Sequence, residues 1–215
     1  WLYPRGPHTF TYEEQLAGYK TQAEARGFRT ECFYLGEKGV TDRAIDRLLY
    51  SRGVQGVILA APKRNEGRTV DFRWERYALS TVSYTWRLPK VHRVSSHHRH
   101  AIDFTFKSAL DRGYQRIGIS LPKQAVGGVD SNWIAGYLVG QSHVPKSRRL
   151  EPFVGSIYDT DSRIFCRWYQ QWKPDVIISL VGAEKAWLDA EGISMPDELA
   201  MVCLNRPANN PAFSG

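Results

Sequence analysis

Two periods alternate along this chain: a helical spacing of three to four residues, and short continuous apolar runs. Residues 94–122 show both. Ile102, Phe106, Ala109 and Leu110 recur at i, i+4, i+7 and i+8, one apolar stripe on a helix. Ser96 is placed to cap its start and Gly113 to end it in a left-handed conformation. Arg112 meets the negative end of the helix dipole. The chain re-enters at once as an apolar run at 117–121. With an extended segment at 91–94 before it, the stretch predicts one βαβ unit of a parallel sheet.

The same alternation continues on both sides. Residues 1–10, rich in Pro and Gly, predict a loop, and 11–26 predict a helix with Leu16, Tyr19 and Ala23 on one face. A strand follows at 28–35, then a helix capped by Thr41, carrying Ala44, Ile45, Leu48 and Leu49 and closed by Gly53. Residues 54–61 read as a continuous apolar strand of a sheet covered on both faces. A basic loop at 62–68, a helix at 70–79 and an extended run at 81–84 complete the first half. The second half predicts a Gly-rich loop after 117–121, a helix at 132–140 and a strand at 153–157. Next come a helix capped by Thr160 or Asp161, a strand at 176–180, a short helix ending at Ala190 and a strand at 199–204. Strand–helix alternation throughout means a doubly wound α/β architecture.

A chain of 215 residues can bury a sizeable core, and 42% apolar with 24% charged residues describes an ordinary globular protein. The net charge of +7 favours anionic surroundings. Its Lys and Arg are scattered, however, and the densest clusters, Lys63-Arg64 and 146–149, are short, so the charge reads as a solvated basic surface. Cys32, Cys166 and Cys203 lie far apart without C-x-x-C spacing, which argues for a reducing compartment and against disulfides or zinc. No apolar run reaches membrane-spanning length, and the first residues carry no signal-peptide pattern. No Gly-x-Ser-x-Gly elbow, Walker loop or dinucleotide fingerprint occurs, so neither an enzyme nor a cofactor is expected. His97 and His100 can share a helix face but lack a third ligand, and they read with His98 as polar helix-start residues rather than a metal site. Glu184, Lys185 and Asp189 read as a solvated helix face.

Three segments, in order, carry a resemblance. They are Leu110-Asp111-Arg112-Gly113-Tyr114-Gln115-Arg116-Ile117-Gly118-Ile119, then Leu49 with Gly53-Val54-Gln55-Gly56-Val57-Ile58-Leu59, and Gly192-Ile193-Ser194-Met195-Pro196-Asp197-Glu198-Leu199. Together they resemble the effector-binding core of the lactose-repressor-like (LacI/GalR) family of transcription regulators. The resemblance implies a type I periplasmic-binding-protein-like fold, with two doubly wound parallel-sheet subdomains facing across a cleft. The N-terminal subdomain would cover 1–115 and the C-terminal one 116–215, with a first crossing near Gln115. It implies a cytoplasmic homodimer that binds a small effector, a sugar, and reaches operator DNA through a reading head outside this segment, with no membrane partner. It also implies an opening strand before Trp1 and a further part-domain after Gly215. A sugar-binding protein of a transporter shares this fold and is the rival reading.

Ligands of doubly wound sheets bind beyond the carboxyl ends of the strands. The loops expected there hold Phe10, Tyr12, Lys63, Arg64, Tyr84 and Trp86 in the first half, and Trp133, Val181 and Asn205 in the second. Aromatic faces beside a few hydrogen-bonding groups suit sugars, although most of the seven Trp and eleven Tyr belong to core or surface in the ordinary way. Position by position, the resemblance implies that Asn205 stands where the family carries an effector-contacting Asp. Trp133, in Trp133-Ile134-Ala135-Gly136-Tyr137, stands where the family has Arg, Val181-Gly182 where it has Asn-Asp, and Ser96 where it has Asp. A fixed cation and a carboxylate are thereby lost, so the expected effector is neutral, and Lys63 and Arg64 are the groups that could replace the missing Arg.

Overall fold

The computed structural model describes residues 2–4, 10–35, 39–60, 70–84, 86, 88–155, 162–180 and 182–205, with 2–4, 10–12, 124 and 128 described by backbone alone. By its contacts the chain divides into two compact units, Trp1–Ser96 and His97–Gly215. The division falls ahead of the helix at 98–111, whereas the sequence reading put the first crossing after it, near Gln115. That helix packs its apolar stripe onto the second unit.

Unit 1 is built from β1 (Leu2–Pro4), α1 (Phe10–Glu24), β2 (Phe33–Leu35), α2 (Asp42–Ser51), β3 (Gly56–Leu59), β4 (Ala78–Val82) and β5 (His92–Val94). All five strands are parallel, in the order β2-β1-β3-β4-β5. The Pro-Gly-rich opening, expected as a loop, therefore supplies an interior strand between β2 and β3, whereas the resemblance places an opening strand before Trp1. Three residues ending in Pro4 are too few to show a period. Pairing of Leu2 with Phe33 on one side and Leu59 on the other makes them a strand.

The expected strand at 28–35 shortens to its last three residues. The expected helix at 70–79 is absent: a single 3-10 turn, Trp74–Arg76, leads into β4. Gly56-Val57 pairs in register with Ala78-Leu79, and the Tyr77 hydroxyl donates to buried Asp46, with Oδ1 at 2.8 Å. These non-local contacts win over local helix preference. α2 follows expectation: Thr41 Oγ1 accepts from Ala44 N, Gly53 turns left-handed at its end, and Ile45 and Leu49 enter the core with Leu35, Val57, Leu59 and Phe72. On α1, Leu16, Tyr19 and Ala23 are only half-buried.

Unit 2 comprises α3 (His98–Asp111), β6 (Ile117–Pro122), α4 (Lys123–Gly128), α5 (Asn132–Ser142), β7 (Phe153–Gly155), α6 (Arg163–Trp172), β8 (Val176–Ser179), α7 (Glu184–Ala190) and β9 (Ala200–Cys203). Its strands are also all parallel, ordered β7-β6-β8-β9. Every residue of β6 and β8 is buried, as continuous apolar runs require in a sheet covered on both faces. Two local expectations change. The segment after β6 is helix α4 rather than a loop, and His97, not Ser96, caps α3, its Nδ1 accepting from His100 N. The caps expected at Thr160 or Asp161 lie outside the described residues.

α3 and α5 pack in close contact. A Cβ on Gly136 would sit 3.0 Å from Ile102 Cβ, and one on Gly140 would sit 2.8 Å from the Phe106 ring. The adjacent Tyr137 is fully buried and hydrogen-bonds the carbonyls of Ile117 and Leu150, both at 3.0 Å. In Trp133-Ile134-Ala135-Gly136-Tyr137, then, the glycine permits close approach and the tyrosine ties α5 to β6. The Gly-Tyr half of that motif serves the fold.

Candidate functional site

In unit 2 the candidate residues gather at the carboxyl ends of β6, β8 and β9. Leu204 N donates to Ser179 O and Asn205 N to Leu180 O, both at 2.9 Å, so the ladder runs past β9 and fixes the Asn205 backbone. Its side chain is exposed, an amide able to donate and accept. Gly182, at φ 71°, reverses the chain after β8 and donates its N–H to Ser179 Oγ at 2.7 Å. Val181 beside it lies outside the described residues.

Behind this turn is a residue that the sequence reading misplaced. Lys185 and Asp189 do form an exposed ion pair one turn apart on α7, at 2.8 Å. Glu184 is instead 1% exposed, with Ser120 Oγ donating to its Oε1 and Ser179 Oγ to its Oε2, each at 2.5 Å. One carboxylate thus joins two adjacent strands, the middle of β6 and the end of β8, to the first turn of α7. A signal was present in the sequence. Ser120 and Ser179 are each a lone hydroxyl in a run otherwise bound for the core, and a buried hydroxyl needs a partner.

Trp133 opens α5 and is 6% exposed. Its ring packs 4.4 Å from that of His98, and it shares an apolar cluster with Leu180 and Leu204, the neighbours of the Asn205 turn. Burial first, then the adjacent His97, push the His98 imidazole below its ordinary value, toward the neutral form. No group of three or more His, Cys, Asp or Glu among the described residues could hold a metal ion.

In unit 1 the corresponding ends are those of β3, β4 and β5. Trp86 is 5% exposed and donates its indole N–H to Ala60 O at 2.7 Å, so its ring is committed to the core. Tyr84 is half-buried, with the Arg93 guanidinium 5.1 Å from its ring centre, and Arg93 also donates to Trp86 O. Arg93, on β5, and the exposed Lys123, in the first turn of α4, are strand-end cations that sequence reading did not single out. Phe10 and Tyr12 fall in the first turn of α1, where only the backbone is described, and Lys63 and Arg64 lie outside the described residues.

No family model and no curated protein matches the sequence of this chain. Solved structures do match. A periplasmic binding protein/LacI transcriptional regulator from Alkaliphilus metalliredigens, complexed with D-xylulofuranose, aligns at TM-score 0.65 and 13% identity, covering 94% of this chain and 76% of that one. The fold is the periplasmic-binding-protein-like fold of its LacI-type neighbours. A LacI family regulator from Weissella paramesenteroides with bound glucose aligns at TM-score 0.66 and 15% identity, and one from Rhodococcus at 0.67 and 14%, each covering 94% of this chain and 77% of the other. These LacI-type neighbours are regulatory and binding proteins.

Doubly wound sheets in general bind ligands beyond the carboxyl ends of their strands, and two hollows among the described residues lie elsewhere. One hollow of about 620 Å³ is lined by Tyr77–Ser80 and Lys90–His92, and another of about 230 Å³ by Gln141, Arg149 and Trp172 among others. Both open at strand beginnings.

Proposed function

We propose that this chain is the effector-binding core of a LacI-type transcription regulator, responsive to a neutral sugar. The observation that carries the reading is the pairing of this fold with an exposed amide, Asn205, held at the end of β9 by backbone bonds. Sugar hydroxyls need such a group, and in two-state regulators ligand acts through its differential affinity for the two states. The choice of a neutral effector rests on Trp133. It stands where the resembling family has Arg, and its ring is packed against His98. Arg93, a strand-end cation of unit 1, is itself engaged by Trp86 O and the Tyr84 ring.

The same reading makes the protein a two-fold homodimer through unit 1, with at least the ~1,600 Å² of a standard interface. It is cytoplasmic, is not an enzyme, and acts on operator DNA through a head outside this segment. No helix among the described residues is long and apolar enough to cross a membrane.

A thermal-shift panel tests the effector. Neutral mono- and disaccharides raise the melting temperature, and the corresponding sugar phosphates do not. Asn205→Ala weakens the response by about 1–3 kcal/mol, because a ligand hydroxyl loses its partner. Stabilisation by sugar phosphates alone overturns the neutral-effector reading and points to Lys63, Arg64 and Lys123. A monodisperse monomer at micromolar concentration, with sugar binding retained, favours the transporter reading.

A further inference from the structure

Unit 1 carries nearly all of the net charge. Sixteen Lys and Arg stand against ten Asp and Glu in Trp1–Ser96, and thirteen against twelve in His97–Gly215. Because every strand of the unit 1 sheet is parallel, all strand beginnings lie on one edge. The segments leading into β2, β3, β4 and β5 (residues 25–32, 52–55, 73–77 and 88–91) hold Arg26, Arg29, Arg52, Arg73, Arg76 and Lys90 against two carboxylates, Glu31 and Glu75. The equivalent segments of unit 2 (112–116, 143–152, 173–175 and 191–199) hold six cations against five carboxylates. Of those cations, Arg112, Arg116 and Arg149 are bonded to backbone carbonyls, whereas in the unit 1 segments Arg26 alone is, to Gln22 O, among the described bonds.

The unit 1 edge is continuous. Arg52 reaches Glu31 at 2.5 Å, the Arg76 guanidinium lies 4.3 Å from the centre of the Tyr50 ring, and Ala78 N donates to Gln55 O. Arg29 and Lys90 are exposed and form no ion pair among the described residues. The 620 Å³ hollow opens beside Lys90. At about 4.8 Å per strand, five strands place these cations along roughly 19 Å, close to the width of a nucleic-acid duplex.

We propose that this edge contacts the phosphate backbone of duplex DNA directly, with Arg26, Arg29, Arg52, Arg76 and Lys90 as the phosphate-facing groups. Long cationic side chains in a row neutralise phosphates without reading sequence. The Arg52–Glu31 pair is exposed on both sides and yields readily to a phosphate. A single strand would want successive open aromatic faces, yet one face of Tyr50 is covered by Arg76 and Phe28 stands alone. A membrane would want one apolar patch, but the exposed Phe28 and Leu88 precede β2 and β5, the two opposite edges of the sheet.

The test is fluorescence anisotropy of a labelled duplex titrated with the 215-residue chain at two salt concentrations. The duplex binds at about 50 mM salt and loosens at least tenfold at about 200 mM. The variant Arg29→Gln/Arg52→Gln/Lys90→Gln weakens binding about tenfold or more and lowers the salt slope by about 2–3, whereas Lys107→Gln/Arg148→Gln/Arg167→Gln in unit 2 does not. Thermal melts check both variants, and if the first melts early the single changes Arg29→Gln and Lys90→Gln take its place. The proposal is overturned by no binding at the lower salt or by equal losses in both variants. Tighter binding to a single strand, to polyglutamate or to anionic vesicles also overturns it. No sugar enters the assay, so its failure is distinct from failure of the effector reading.

Discussion

Ser120 and Glu184 meet inside unit 2, hydroxyl to carboxylate at 2.5 Å, one from the middle of a buried strand and the other from the first turn of α7. Ser179 completes the arrangement from the neighbouring strand and takes the Gly182 N–H in turn. The candidate turn after β8 is therefore positioned by a buried carboxylate, with its neighbouring donors aimed at it.

The first prediction follows from that arrangement. Ser120→Ala leaves a buried carboxylate one donor short and costs about 1.5–3 kcal/mol in urea denaturation. Glu184→Ala costs more than Glu184→Gln, because the amide still fills the space and meets one serine. A Ser120→Ala variant within a few tenths of a kcal/mol of the parent shows that water reaches Glu184.

Gly136 and Gly140 gain helix propensity as alanines, roughly 1 kcal/mol each, so local preference alone predicts stabilisation. Packing reverses the sign. The new methyls meet Ile102 Cβ at 3.0 Å and the Phe106 ring at 2.8 Å, and overpacking costs about 1–3 kcal/mol. Gly140→Ala lowers the melting temperature, and adding Phe106→Leu recovers part of the loss. Additive effects in that cycle contradict the contact.

Burial, reinforced by the hydrogen bond to Asp46, pushes the Tyr77 phenol up to about 12. Burial raises Tyr137 as well, with Glu151 adding to it. A raised folded-state value means that the stabilisation is fully present below pH 10, and is lost as pH climbs from 10 toward 12. Stability measured by chemical denaturation falls across that window, and Tyr77→Phe makes the fall shallower while lowering stability at neutral pH. Phenolate absorbance rising near pH 10 with the fold intact refutes this.

Arg116 donates to the carbonyls of Trp172, Lys173 and Ser147, the first two at the end of α6. Arg116→Ala costs about 1–3 kcal/mol as those carbonyls lose their donor. Arg116→Lys recovers little of it, because one ammonium cannot reproduce a planar fork that spans three acceptors. Equal stability of the Lys and Arg forms argues against that geometry.

Much of the architecture was legible in the sequence by itself. The stripe Ile102, Phe106, Ala109 and Leu110, the apolar runs at 117–121 and 176–180, and the Thr41 and Gly53 signals fix helices and buried strands, since period and capping are local properties. Tertiary structure decided what depends on pairing and on direction. Leu2–Pro4 is an interior strand because Phe33 and Leu59 flank it, and 78–82 is a strand because β3 lies alongside. Glu184 looks solvated beside Lys185 and becomes buried only when β6 and β8 bring Ser120 and Ser179 together. Arg26, Arg29, Arg52, Arg76 and Lys90 are scattered through some sixty residues of sequence. They form one edge because parallel strands begin on the same side, a relation that no linear pattern of charge contains.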